Sequence, residues 1–297
     1  MKTFFLTVVA LIAFAANSVL CRLALGEHSI DPASFTIIRL SSGIVVLLLL
    51  LFLSSKTQSR PKIKTSDKSE QTKKIISTGS WQASILLFIY ALCFSFAYVS
   101  LDTGSGALIL FAAVQITMIL RAVFAGNQLR LLEWLGLLLA FSGFVYLVFP
   151  TLSTPSLLGF VLMTIAGIAW GFYTLKGRGS HNALSDTAYN FLRTLPFLLL
   201  VLMINISRGY VTTNGILYAV LSGAVASGIG YTLWYAALSG LTTTQAAVVQ
   251  LLVPIIAALG GIILVAESIN QRFILSSMMI LGGILLVVLA SYKPTQK

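Results

Sequence analysis

Apolar residues in this chain fall in long blocks, not in alternation. Ten blocks stand near 3–22, 33–53, 82–101, 104–124, 132–149, 157–175, 186–205, 213–237, 243–265 and 272–291. Each approaches the roughly 20 residues that a helix needs to cross a bilayer. The dyad alternation of a membrane barrel is absent, and in lipid that leaves helices as the spanning structure. One long polar segment, 54–80, interrupts the series, with seven basic residues against Asp67 and Glu70. The other connections are short and force neighbouring helices to run antiparallel. The pattern predicts an all-α membrane protein with ten transmembrane helices.

Composition agrees. Of the 297 residues, 58% are hydrophobic and only 9% charged, where soluble domains carry about 25% charge. Mean hydropathy is +0.96. So few charges cannot clothe an aqueous surface, so lipid must cover most of the outside. The net charge of +11 would suggest nucleic acid in a soluble protein. Here basic residues collecting in cytoplasmic loops account for it, and no nucleic-acid partner is expected. With the N-terminus inside, 14 of the 19 basic residues fall on the inner side and three, Arg22, Arg208 and Arg272, on the outer. Both termini and the basic 54–80 loop are therefore expected in the cytoplasm of a cell that carries the chain in its inner membrane. Met1-Lys2 and the apolar run to Leu20 resemble a signal peptide. A large Leu20 precedes Cys21 where a lipoprotein site needs a small residue, and cleavage at Ala13-Phe14-Ala15 would remove a whole first span. Two cysteines, Cys21 and Cys93, make no disulfide framework.

The two halves resemble each other. Ala97 to Gly104 lies 140 positions before Ala237 to Thr244, and the same offset carries Phe94 onto Trp234 and Gly143 onto Gly283. Phe35 to Arg39 lies opposite Tyr189 to Arg193 at an offset of 154, and Arg22 opposite Arg178 at 156. The long 54–80 loop, present in the first half only, absorbs the drift. Five spans per half is odd, so the second half must enter the membrane from the other side. The expected organisation is two inverted five-helix repeats, 1–150 and 151–297. Such repeats are the usual construction of alternating-access carriers, with a site near the midplane.

Five-plus-five spans resemble the EamA-like branch of the drug/metabolite transporter superfamily. The matching pieces are Trp170-Gly171, Phe35 to Arg39, Tyr189 to Arg193, Val248 to Pro254 and Ala266-Glu267. The chain departs from the family pattern at Phe14-Ala15, where Trp-Gly is frequent, and at Gly126-Asn127-Gln128, where Gly-Glu-Arg is frequent. The resemblance implies a transporter of small organic molecules, often exported metabolites or amino acids, with spans five and ten outside the substrate bundle. It does not fix the substrate.

Charges inside a span are costly and mark function by default. Arg39 and Arg193 are the two. Each either ties helix carbonyls or snorkels as a structural element, or supports a gate or attracts a carboxylate. The eight acids lie in loops or at span ends, which argues against a carboxylate-centred proton relay. No lysine lies deep in a span, so zwitterionic or neutral metabolites, amino acids included, are preferred over phosphorylated ones. Asn17, Gln115, Asn190 and Gln250 need partners inside the bundle, as helix glue or as pathway groups. Tyr90, Phe94 and Tyr98 share one helix face, as do Tyr231 and Tyr235. These stripes either pack or line a cavity; Tyr98, Trp234 and Tyr235 are the lining candidates, with Trp170 and Tyr173 of the sixth span beside them. Gly167 and Gly171 allow another backbone close approach, and Pro196 and Pro254 break helical bonds within spans.

A carrier is the first expectation. A membrane-embedded enzyme would need a buried nucleophile, metal cluster or acid pair, and His28 and His181 lack ligand spacing. No catalytic residue, metal or cofactor is therefore expected. A scaffold or receptor would lack a cavity at the repeat interface. The expected partners are the bilayer and a small-molecule substrate, with a homodimer left open.

Overall fold

The computed structural model describes residues 2–57, 79–126, 130–148, 156–177, 180, 182–207, 209–238, 240–241 and 249–290. Most of the 54–80 loop lies outside them, as do Asn127, Gln128, Arg178, His181, Arg208, the Thr242–Thr244 turn, Lys293 and Lys297.

Among the described residues the fold is helical. The elements are α1 (Lys2–Gly26), α2 (Pro32–Thr57), α3 (Trp81–Ala97), α4 (Thr103–Phe124), α5 (Leu131–Val148), α6 (Leu157–Gly177), α7 (Ala183–Leu192), α8 (Leu195–Asn205), α9 (Thr213–Val220), a π-helical segment (Leu221–Ile229), α10 (Gly230–Leu238), α11 (Leu252–Val265) and α12 (Gln271–Ala290). Seven helical stretches are long and apolar enough to cross a membrane, counting Ala183–Asn205 and Thr213–Leu238 each as one. Three shorter apolar helices, Trp81–Ala97, Leu131–Leu147 and Leu252–Val265, stand where the sequence predicts the third, fifth and ninth spans. The chain is thus a multi-pass membrane protein.

The short stretches have local causes. Helix α3 ends at Ala97 and turns through Tyr98, four residues before the predicted end. The seventh predicted span breaks at Arg193–Thr194, just before Pro196 near the start of α8. Proline lacks the N–H that would continue the ladder. Pro254 likewise sits in the first turn of α11 after a turn at Leu251.

Four helix starts are capped by the side chains of Asp31, Ser80, Asn182 and Thr212. Asp31 Oδ1 accepts from the Ala33 and Ser34 amides at 3.1 and 3.0 Å, ahead of Pro32 in the first turn, a favoured position for proline. Ser80, Asn182 and Thr212 cap α3, α7 and α9 in the same way. The α1–α2 and α8–α9 connections then join. Ile30 pairs with Val211 in an isolated antiparallel bridge, the Asp31 amide donates to the Tyr210 carbonyl, and Asn205 Nδ2 donates to Asp31 Oδ1 at 2.9 Å.

In lipid, apolar burial does not hold helices to each other, so close packing and polar contacts must. Helix α6 packs on α3 and α4, while α1 packs on α10 and α11. Gly167 and Gly171 face α4, where a Cβ on Gly167 would meet the Leu110 carbonyl at 2.6 Å. Helices α5 and α12 form a pair: a Cβ on Gly136 would meet the Gly283 carbonyl at 2.6 Å, and Ile280 and Ile284 are buried beside it. On α2 the π segment comes closest of all, because a Cβ on Gly223 would overlap the Arg39 carbonyl.

Candidate functional site

The centre of the bundle is built around Arg39. It lies seven residues into α2, about 10 Å along the axis at 1.5 Å per residue, and is 1% exposed. Its Nη2 donates to the Tyr90 hydroxyl at 3.0 Å, and Nε and Nη2 both reach Ser227 Oγ at 3.4 Å. The guanidinium carbon lies 4.8 Å from the Phe94 ring centre and 5.2 Å from that of Tyr90, within cation–π range. Nη1 has no hydrogen-bond partner among the described residues. No carboxylate among them pairs with it either.

Polar groups converge beside it. The Tyr90 hydroxyl also accepts from Asn17 Nδ2 at 3.2 Å and from the Tyr231 hydroxyl at 3.4 Å. Ser222 donates to Asn17 Oδ1 at 2.5 Å. Both serines come from the π segment, whose i→i+5 winding turns an extra residue inward; π segments recur at functional sites. Aromatic rings close the remaining sides. Trp170 lies 4.8 Å from Tyr90 and 4.7 Å from Tyr231, and Phe14 meets Trp170, Tyr231 and Trp234 edge-on. The void they leave is about 10 Å³, room for about one water molecule.

The two ends of the bundle differ. At the end where α1 finishes, Arg22 Nε donates to Glu267 Oε1 at 3.1 Å and Nη1 donates to the Tyr98 carbonyl at 3.2 Å. Asp102 stands 3.8 Å from Nη2. Glu267 also accepts from the Thr103 amide at 2.9 Å and from its hydroxyl at 3.1 Å. Glu267 is aimed by Ala266, which takes a left-handed conformation (φ 56°) after α11 and lets the Glu267 amide cap Gly261. This network joins the ends of α1, α3, α4 and α11.

At the opposite end a recess of about 240 Å³ opens between α3, α6, α7 and α10. Its walls include Tyr173, Lys176, Asp186, Asn190 and Tyr235. Asp186 Oδ1 accepts from the Gly79 amide at 2.9 Å, and Asn190 Oδ1 from the Ser80 amide at 2.8 Å. Tyr173 stacks on Trp170 at 5.3 Å, so the floor of the recess is the roof of the Arg39 cluster.

The residues singled out from the sequence are therefore spread over the central cluster, the recess, the Arg22 end and positions outside all three. Asn17 and Trp170 lie in the central cluster, with Trp234 at its edge. Tyr173 and Tyr235 line the recess. Tyr98 is fully buried near the Arg22 network, its hydroxyl donating to the Thr103 carbonyl at 3.3 Å. Gln115 and Gln250 are buried but line neither the recess nor the central void. Arg193 is only half-buried. Its guanidinium sits over the Tyr189 ring at 5.9 Å and against Gly79. The two stripes do meet, but through Tyr90 and Tyr231 and not through the favoured Tyr98. Phe14, Ser222 and Ser227 were not foreseen, although the 156-residue offset that aligns Arg22 with Arg178 also aligns Phe14 with Trp170 and Asn17 with Tyr173. The Arg22–Glu267 contact left no sequence signal of its own. Among the described residues no cluster of His, Cys, Asp and Glu could hold a metal ion.

Comparison with known proteins follows this geometry. The EamA-like transporter family profile matches residues 1–149 and again 157–289. An uncharacterized protein of Pseudomonas aeruginosa is 44% identical over 287 residues, 97% of this chain and 94% of its own. An uncharacterized transporter of Archaeoglobus fulgidus is 25% identical over 74% of this chain and 79% of its own. The uncharacterized transporter YoaV of Bacillus subtilis is 19% identical over 87% and 88%. A crystal structure covering 95% of this chain and 96% of its own superposes with a TM-score of 0.58 at 15% identity, which speaks to the fold.

Proposed function

Because the chain belongs to the EamA-like transporter family, we propose that it carries small organic metabolites, amino acids or related compounds, out of the cell by alternating access. Membership makes it a membrane transporter; substrate, direction and mechanism are the proposal. In this reading ten spans form two inverted five-helix repeats, 1–150 and 151–297, in the inner membrane. The packing supports the repeat. Exchanging each span with the one five places on turns the α3–α6 contact into the contact of α10 with α1. It returns α4–α11 and α5–α12 to themselves.

The observation that carries the reading is the inequality of the two ends. The Arg22 end is closed by an ion-paired network, the other is open, and a polar centre lies between them. That is the arrangement expected of a carrier caught open to one side. The distribution of basic residues supports an open recess that faces the cytoplasm, which in this reading is an inward-open state ready to load an export substrate.

Efflux from proteoliposomes loaded with a mixed metabolite extract tests the function. Loss of particular small molecules, absent from empty liposomes, is the expected result; tight vesicles with no flux of any component would overturn it. Orientation is tested by cysteines placed at Ser59 and Gln296 in intact cells. An impermeant maleimide should label neither until the membrane is opened.

A further inference from the structure

The central cluster holds a positive charge that no carboxylate among the described residues pairs with. The acids among the described residues lie in connections or at helix ends, and Asp102 and Glu267 pair with Arg22 at the closed end. An ion taken out of water costs several kcal/mol unless it is paired, and a guanidinium in a span is costly on any scale. Two hydroxyls and two ring faces compensate Arg39 in part, but Nη1 still has no partner among the described residues. The neighbouring void has room for about one water molecule, and Arg39 is not among the residues that line it.

Resting on the transporter reading above, we propose that Arg39 is the substrate-recognition group and that it takes a carboxylate, so that the substrate is an organic acid with a flat or apolar body and a net negative charge. A carboxylate arriving through the recess would offer Nη1 and Nη2 the two-oxygen geometry that a guanidinium fork matches. The Tyr90 and Ser227 hydroxyls, which now satisfy the fork, would be released to the substrate. The rings of Trp170, Phe14 and Tyr231 supply apolar faces for the remainder, and the Asn17 amide one further polar contact. Charge balance separates this from the wider amino-acid class. The cluster contains no carboxylate to receive an ammonium group, and Arg39 itself repels one. An α-amino acid would thus be held by its carboxylate alone, against that repulsion, whereas a simple organic acid neutralises the site.

The test uses four probes that share a benzene ring and a short side chain and differ in headgroup: phenylacetate, phenylalanine, 2-phenylethanol and 2-phenylethylamine. Purified full-length protein is titrated with each by intrinsic tryptophan fluorescence and by thermal melting. Phenylacetate should bind most tightly and raise the melting point, and the amine should do neither. Arg39→Gln should weaken phenylacetate about ten- to a hundredfold, the scale of a lost charged hydrogen bond, and leave 2-phenylethanol unchanged. Arg39→Lys keeps the charge and loses the fork, and should recover only part of the affinity. If Arg39→Gln does not fold, Arg39→Lys serves instead, because it loses the two-oxygen fork and should still weaken phenylacetate severalfold while leaving 2-phenylethanol unchanged. Equal binding of acid, alcohol and amine, or acid binding that survives Arg39→Gln, overturns the proposal. Flux in proteoliposomes is read separately: transport indifferent to Arg39 sinks this inference and spares the carrier, while Arg39-dependent binding without any flux does the reverse.

Discussion

Arg22 and Glu267 meet at 3.1 Å across 245 residues of sequence, tying the first helix to the turn that follows α11. The pair is partly shielded, with the side chains 20% and 13% exposed. It is reinforced by the Thr103 amide and hydroxyl. Charged hydrogen bonds of this kind are worth more than a surface ion pair, so the contact can hold one end of the bundle shut.

Glu267→Gln should loosen that end. Cys21, the neighbour of Arg22, is fully buried and offers a native probe. In a Cys93→Ser background, an impermeant maleimide should label Cys21 about tenfold faster in Glu267→Gln than in the parent, corresponding to a population shift of about 1.4 kcal/mol. Unchanged labelling in well-folded protein would show that the network does not govern access.

Asp31 gives a pH-dependent prediction at the same end. Burial raises its pKa, but hydrogen bonds from Ser34, Asn205 and the Tyr210 amide outweigh burial and hold the carboxyl below its ordinary value. A carboxyl whose folded pKa is lowered adds stability above its unfolded pKa, and that stability is lost as pH falls through the folded value. Asp31→Asn should therefore melt lower than the parent at pH 7, with the gap narrowing below about pH 4. A gap that widens in acid would contradict the assignment.

Much of this was legible in the sequence. Helical class, span positions and the close approach at Gly167 and Gly171 follow from local composition, which lipid enforces strictly. The breaks at Arg193–Thr194 and Leu251 follow from Pro196 and Pro254 in the same local way. The site was harder to read because it depends on rotation of helices about their own axes. Tyr90 and Tyr98 share a face of α3, yet one meets Arg39 and the other is sealed beside Thr103. Arg39 and Arg193 stand at matching places in the sequence, 154 apart, but differ in burial. The 140-residue offset places Leu87 where the second half has Ser227, so the first half lacks the hydroxyl that holds Arg39 inward. The π segment that aims that serine has no periodic signature in a run of small apolar residues.

The α5–α12 pair should tolerate little. Gly136→Leu would push a side chain into the Gly283 backbone, which cannot move aside. Overpacking of this kind costs about 1–3 kcal/mol. Ile284→Asn would bury an amide at a fully buried position of α12. Both should reduce folded yield by size-exclusion chromatography while leaving the rank order of transported substrates unchanged. Phe141 is 64% exposed on the outer face of α5, and Phe141→Leu should be neutral. A change of substrate order from any of the three would place this pair inside the pathway.

On the proposed alternating-access reading the two ends should differ in strength, because the sequence correspondence between the halves fails at one residue. Arg22 corresponds to Arg178, and Glu267, which follows Ala266, corresponds to Asn127, which follows Gly126. If the proposed repeats are inverted, Arg178 and Asn127, which lie outside the described residues, are the sequence counterparts of the Arg22–Glu267 pair. An amide in place of the carboxylate removes the ion pair, so the recess-closed state lacks the stabilisation that its counterpart enjoys. Asn127→Glu should restore it. The expected outcome is a shift towards the state open at the Arg22 end: faster maleimide labelling of Cys21, and slower labelling of a cysteine placed at Ala183 in the recess wall. The two rates should move in opposite directions by about two- to fivefold, the scale of a partly exposed ion pair of up to about 1 kcal/mol. Adding Arg178→Gln should cancel the effect of Asn127→Glu without altering the parent rates by a comparable amount. Acceleration or slowing of both sites together would mean that the substitution loosens or tightens the whole bundle, and the pairing of gates across the repeat would be wrong.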